Sequence, residues 1–133
     1  MIIDAENQIL GRLCSQIAKK LLSGEEIVVV NVEKSVISGR PEFLKEHYLE
    51  RRQKGDAHKG PFYPRYPDKL FVRAVRGMVP YKKPKGREAM KRLKVFVGNP
   101  ENMKAEKIAK SVESLTCKYS TLEFVSKTLG ANI

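Results

Sequence analysis

The first 32 residues switch between two hydrophobic periods, and that switch limits the chain to few architectures. Met1-Ile-Ile-Asp4 is a short apolar strand candidate, and Leu10, Leu13, Ile17 and Leu21 then fall on one face of a helix. Gly24 is placed to end that helix, because glycine takes the left-handed backbone of a C-terminal cap without strain. Glu26-Ile-Val-Val-Val-Asn-Val32 follows as an unbroken β-branched run, the pattern of a strand covered on both sides. Strand, helix, strand in this order favours a right-handed crossover between parallel strands, hence an α/β sheet.

Charge divides the chain a second way. Residues 51–94 hold fifteen Lys and Arg against three acids, Asp56, Asp68 and Glu88, a net of +12. The other 89 residues carry eleven basic and twelve acidic side chains, a net of −1, so one segment owns the formal +11 of the protein. Like charge at this density opposes compaction unless a polyanion neutralises it, and nucleic acid is the polyanion best suited to do so. If roughly six to ten of these cations meet phosphates, affinity would fall by about 10³ to 10⁵ on moderately raising the salt.

Ser38-Gly39-Arg40-Pro41 starts a helix that continues through Phe43, Leu44, His47 and Tyr48 and enters the strip at Arg51. Residues 53–67 lack an apolar period and are rich in glycine and proline, which predicts an extended loop. A helix is expected over Asp68 to Met78, with Leu70, Phe71, Ala74, Val75 and Met78 packed and Lys69, Arg73 and Arg76 on the opposite arc. Residues 79–86 read as a second basic loop, Arg87 to Leu93 as a short helix, and Lys94 to Gly98 as a strand. Residues 103–115 look helical, and Ser120-Thr-Leu-Glu123 has the capping-box pattern of a last helix running to Gly130. One domain over residues 1–133 is expected at this length.

Several chemistries find no support. Gly55-Asp-Ala-His-Lys-Gly60 has the glycine spacing of a phosphate loop, yet Pro61-Phe62 stand where Lys and Ser or Thr are required. Gly11 lacks the companion glycines of a dinucleotide fingerprint and reads as a packing glycine at a helix start. Cys14 and Cys117 have no metal-ligand spacing and are expected as small reduced core residues. His47 reads as a half-buried packing residue and His58 as a backbone or RNA contact, because neither has a catalytic companion. No cofactor, metal or small-molecule substrate is called for, and no apolar run approaches the ~20 residues of a membrane span. Phe62, Tyr63 and Tyr66 in the proline-rich arm can either stack on bases or plug a hydrophobic notch. Without a helix-turn-helix, zinc-finger or RNP1 pattern, backbone and shape recognition of folded RNA fits better than sequence-reading of DNA.

The wording of the chain resembles the universal large-subunit ribosomal protein 13 family, in its archaeal style. The resemblance is carried by Leu10-Gly-Arg-Leu-Cys-Ser-Gln-Ile-Ala-Lys-Lys-Leu-Leu22, Val28-Val-Val-Asn-Val-Glu33 and Ile37-Ser-Gly39. Its second half lies in Gly60-Pro-Phe62, Arg73-Ala-Val-Arg-Gly-Met-Val-Pro80, Lys85-Gly-Arg87 and Leu93-Lys-Val-Phe-Val-Gly98, so that it covers about residues 1–100. It implies a three-layer α/β/α domain with a small, mainly parallel four-stranded sheet and basic loop extensions. It also implies a non-enzymatic, cytoplasmic component of the large ribosomal subunit, bound to ribosomal RNA and touching neighbouring ribosomal proteins. Arg73, Arg76, Lys82, Lys83, Lys85, Arg87, Lys91 and Arg92 are then the expected principal phosphate contacts. Arg51, Arg52, Lys54, Lys59 and Arg65 form a second group, with His58 beside them. Gly77 and Gly86 are expected to permit turns or close approach of the backbone to RNA. The alternative is an RNA-binding module or chaperone acting away from the ribosome.

Overall fold

The computed structural model describes residues 1–132; Ile133, the last residue of the expected domain, lies outside them. Strand β1 (Ile2–Asp4) leads into helix α1 (Leu10–Leu22) and strand β2 (Ile27–Val30). The apolar stripe of α1 is buried as its spacing requires, with Cys14 and Ala18 joining Leu10, Leu13, Ile17 and Leu21. The helix ends at Gly24, whose φ of 101° allows Glu25 N–H to reach Lys20 O at 3.2 Å and Gly24 N–H to reach Leu21 O at 3.1 Å. β1 and β2 pair in parallel with Ile3 opposite Val29, and β2 pairs in parallel with strand β4 (Leu93–Val95), Val29 opposite Val95.

The parallel sheet therefore has three strands, in the order β1-β2-β4, where the family resemblance implied four. Beyond β1 a fourth position is filled by a single parallel bridge from Ile3 to Glu106, closed by Asp4 N–H to Glu106 O at 2.9 Å and Glu106 N–H to Ile2 O at 3.1 Å. A second sheet is separate and antiparallel. Strand β3 (Val36–Ser38) pairs with β5 (Tyr119–Thr121), two three-residue strands too short to leave a period in the sequence. Covering of β2 on both sides holds at Val30 but not at Val28 on the same face. Ile27 and Val29 are sealed against the helices, whereas Val28, beside the exposed Lys94, is only half buried.

Helices α2 (Pro41–Gln53), α3 (Pro67–Arg76) and α4 (Pro84–Lys91) each place a proline in the first turn, where its missing N–H costs nothing. For α4 this overrides the expected start at Arg87, so Lys85 joins Arg87 on a helix and does not lie in a loop. Phe71 and Val75 of α3, Val79, Ala89 of α4, and Leu122 and Val125 of helix α5 (Leu122–Thr128) complete one core around α1.

Residues 103–115 are not helical apart from a single 3-10 turn over Val112–Ser114. Their backbone groups are taken by other partners: Ile9 N–H reaches Lys110 O at 3.1 Å, and Val112 N–H reaches Asn7 O at 2.8 Å. The fully buried Gln8 accepts Ala109 N–H on Oε1 at 2.8 Å and donates from Nε2 to Asp4 O, so one amide ties this segment to β1. Side-chain pattern cannot reveal such long-range pairing. The last helix likewise starts one residue late: Ser120 is in β5, and Thr121 Oγ1 caps by accepting Phe124 N–H at 3.3 Å.

Candidate nucleic-acid interface

The strip runs from the last turn of α2, through the 54–66 arm and the outer arc of α3, around residues 77–83, and onto α4. Of its fifteen cations only Lys54 has a carboxylate within 4.0 Å among the described residues, Glu50 at 3.1 Å. Arg51, Arg52, Arg73 and Arg76 sit in the closing turns of their helices, where the carbonyl ends favour positive charge. Lys83 and Lys85 do the opposite. They crowd the start of α4, a helix with no acid in its first turn and no side-chain cap, and they add to the positive end of its dipole. That arrangement is unfavourable in isolation and favours an anion.

The cations divide into two sets. Arg52 donates from Nη1 to Tyr63 O at 2.5 Å, and Arg73 donates from Nη2 to Phe62 O at 3.5 Å. The guanidiniums of Arg51 and Arg73 also lie 6.0 and 5.8 Å from the Tyr63 ring centroid. Contacts of this kind contribute about 0.5–1 kcal/mol each at exposed sites. Tyr63 is thus a plug, half buried beside Tyr48, and it pins the arm to α2 and α3. Arg76 lies 4.5 Å over Tyr81 and Arg65 lies 5.5 Å over Tyr66. Arg92 donates from Nη2 to Leu21 O at 2.7 Å, which ties the α4–β4 corner to the end of α1. The second set, Lys59, Lys69, Lys82, Lys83, Lys85, Arg87, Lys91 and Lys94, is exposed and has no carboxylate within 4.0 Å among the described residues.

The Gly55–Gly60 stretch is a closed turn. Asp56 N–H and Gly60 O bond at 3.1 Å, Gly60 N–H and Asp56 O at 2.9 Å, and Asp56 Oδ1 accepts His58 N–H at 3.2 Å. His58 is exposed, while His47 is half buried between Phe43, whose ring centroid is 5.7 Å away, and Tyr48 at 5.6 Å. Burial pushes the Tyr48 hydroxyl above its usual range, Tyr63 adds to the effect, and Arg51 opposes it. Gly86 does not present backbone to a ligand: it is buried, and its α-carbon lies against the Pro80–Tyr81 peptide. Gly77 closes α3 with right-handed backbone. Cys14 is buried as expected and its thiol is pushed up to about 12 by that burial, but Cys117 is exposed and not a core residue. Sequence reasoning held plugging as one of two roles for Tyr63 and missed the tying roles of Arg92 and Gln8, whose partners are distant in the chain.

Fold and surface together define a small basic α/β protein, its core built on one crossover unit and its surface carrying a cationic strip in which, among the described residues, only Lys54 has an acidic partner. The family model of ribosomal protein L13 matches residues 1–102. The large ribosomal subunit protein uL13 of Methanocaldococcus jannaschii is 51% identical over 135 residues, covering 98% of this chain and 97% of the relative. The proteins of the same name from Archaeoglobus fulgidus and Haloarcula marismortui are 48% and 44% identical, covering 97% and 99% of this chain and 86% and 92% of their own lengths. The chain belongs to the ribosomal protein L13 family. The likeness extends past residue 100, through the extended segment and α5.

Proposed function

We propose that this protein is a structural constituent of the large subunit of the cytoplasmic ribosome, which holds ribosomal RNA through its basic strip and so supports subunit assembly and translation. It is not an enzyme. The observation that carries the reading is the strip itself: a family member exposes a cationic surface in which one cation of fifteen has an acidic partner among the described residues. Lys59, Lys82, Lys83, Lys85, Arg87 and Lys91 are the free phosphate ligands. Arg51, Arg52, Lys54, Arg65, Arg73 and Arg76 contribute charge while they shape the arm and its aromatics, with His58 at the turn. Arg92 reaches phosphate only with guanidinium N–H groups not given to Leu21. Neighbouring ribosomal proteins meet the near-neutral remainder. The relatives described above are large-subunit proteins by name, which favours this over a free RNA-binding module.

The test is the quadruple variant K82Q/K83Q/K85Q/R87Q, in which only exposed side chains change. It should retain its circular dichroism and bind large-subunit ribosomal RNA with a log–log salt slope smaller by about 3, at roughly 0.7–0.9 per lost phosphate contact. On sucrose gradients it should be depleted from large subunits. A variant that enters subunits normally with an unchanged slope would remove these residues from the interface.

A further inference from the structure

A cleft of about 380 Å³ opens between the end of α2 and the Pro61–Tyr63 arm. Arg52, Lys54, Asp56, Phe62 and Tyr63 are among the residues that line it. Its size is at the lower end of the ~300–1,000 Å³ typical of small-ligand sites, so it suits one nucleotide and not a duplex. Three features separate it from the rest of the strip. Phe62 is 67% exposed, the most exposed large apolar side chain among the described residues, and its ring leans on Gly60 so closely that a Cβ there would lie 3.0 Å from it. Arg52 bonds Tyr63 O and Arg73 reaches Phe62 O, so the backbone that presents the ring is held from below. Asp56 is the one acid among the residues that line the cleft, and it has no cation within 4.0 Å among the described residues.

A carboxylate repels phosphate, so a nucleotide seated in this cleft must meet Asp56 with a different group. A base edge with N–H donors supplies one. Guanine alone presents two adjacent donors, N1–H and the N2 amino group, on the edge opposite its sugar, and a carboxylate accepts both. Folded RNA is read through unstacked bases laid on aromatic rings and bonded along their edges. We propose, resting on the ribosomal reading above, that this cleft captures one looped-out guanosine of ribosomal RNA. The base stacks on Phe62, its donor edge faces Asp56, and its phosphate lies beside Arg52 and Lys54. Asp56 Oδ1 already accepts His58 N–H, so the turn presents the carboxylate in one orientation.

The experiment uses large subunits assembled with the wild-type protein, Phe62→Ala or Asp56→Asn. Ultraviolet crosslinking with mass-spectrometric mapping locates the contact, and kethoxal, which modifies unpaired guanine at N1 and N2, probes the edge. Phe62 is exposed, and the amide introduced by Asp56→Asn keeps an acceptor for His58 N–H, so both variants should fold and enter subunits. The expected result is a guanine crosslinked within the 61–63 arm and protected from kethoxal in wild-type subunits. The crosslink should weaken roughly 5- to 150-fold in Phe62→Ala, the range of one lost base–aromatic stack, and kethoxal should reach the guanine in Asp56→Asn. Subunits that contain the protein but crosslink only through residues 69–92, or through a base other than guanine, overturn the proposal and leave the ribosomal reading intact. Wild-type protein absent from large subunits overturns that reading instead.

Discussion

Gly86→Ala tests whether the basic surface depends on one backbone contact. A Cβ at this position would lie 1.9 Å from Pro80 O, 2.3 Å from Pro80 C and 2.8 Å from Tyr81 N. Ordinary contact begins near 3.4 Å, so α4 and the 80–81 peptide must part by about 1.5 Å. Neither side yields freely. Ala89 holds α4 in the core, Val79 is buried just before Pro80, and Tyr81 lies under Arg76 at 4.5 Å. Because the clash is with backbone on both sides, overpacking here falls in the upper part of its usual range, about 2–3 kcal/mol, while alanine regains about 1 kcal/mol of helix propensity over glycine. The net loss is about 1–2 kcal/mol, or roughly 4–8 °C in Tm for a chain of this size. Gly11→Ala is the matched control, since a Cβ there meets nothing within 4 Å and α1 has no other constraint at that point. It should raise Tm by up to about 4 °C. Thermal melts followed by circular dichroism compare the three proteins. A Gly86→Ala protein as stable as wild type would refute the argument, and the spacing of Lys83, Lys85 and Arg87 from the 80–82 turn would then need another cause.

Arg92→Ala should cost about 1–2 kcal/mol by removing the guanidinium's hydrogen bond to Leu21 O, which keeps only Gly24 N–H, measured as a lower urea midpoint; unchanged stability with weakened RNA binding would make Arg92 a phosphate ligand and not a tie. Gln8→Leu strands Asp4 O and Ala109 N–H, so hydrogen exchange should accelerate at Ala109 and Glu106 before the rest of the chain; uniform acceleration would mean Gln8 has no local role. A thiol reagent at pH 8 should modify Cys117 at once and Cys14 only at the rate of unfolding, and two equally fast thiols would contradict the burial of Cys14. Because the folded Cys14 thiol titrates at about 12 against 9.0 when unfolded, its neutral form stabilises the protein fully below pH 9, and that contribution is lost as pH rises towards 12. Cys14→Ala should flatten this part of the alkaline denaturation curve, and an identical curve would exclude the thiol as a source of it.

Much of the molecule was legible in the chain because local pattern and long-range outcome agreed. The stripe of Leu10, Leu13, Ile17 and Leu21 became the centre of the core, β1, α1 and β2 formed a parallel crossover unit, and α3 buried Leu70, Phe71 and Val75 beneath its cations. Charge segregation is a property of composition, so the basic strip needed no fold to be seen. What failed was wherever backbone pairing with a distant partner outweighed local preference. Residues 103–115 have the spacing of a helix, yet Ile2, Asn7, Gln8 and Ile9 claim their hydrogen-bonding groups. β3 and β5 exist only because each supplies the other's ladder.

Hydrophobic period and net charge were enough to establish the α/β class, the central helix and the concentration of positive charge in one strip, since both act without knowledge of what lies across the fold. Which cations remain free and which serve the protein was settled only by long-range packing. Arg52, Arg73 and Arg92 are indistinguishable from Arg87 in composition, but each of the three finds a carbonyl on another part of the chain. Packing also placed Gly86 against Pro80 and raised Phe62 over a cleft while Tyr63, one residue on, is pinned beneath it. The physical reason is the same in each case: a side chain's role depends on which unsatisfied group it meets, and only the folded chain brings that group within hydrogen-bonding distance.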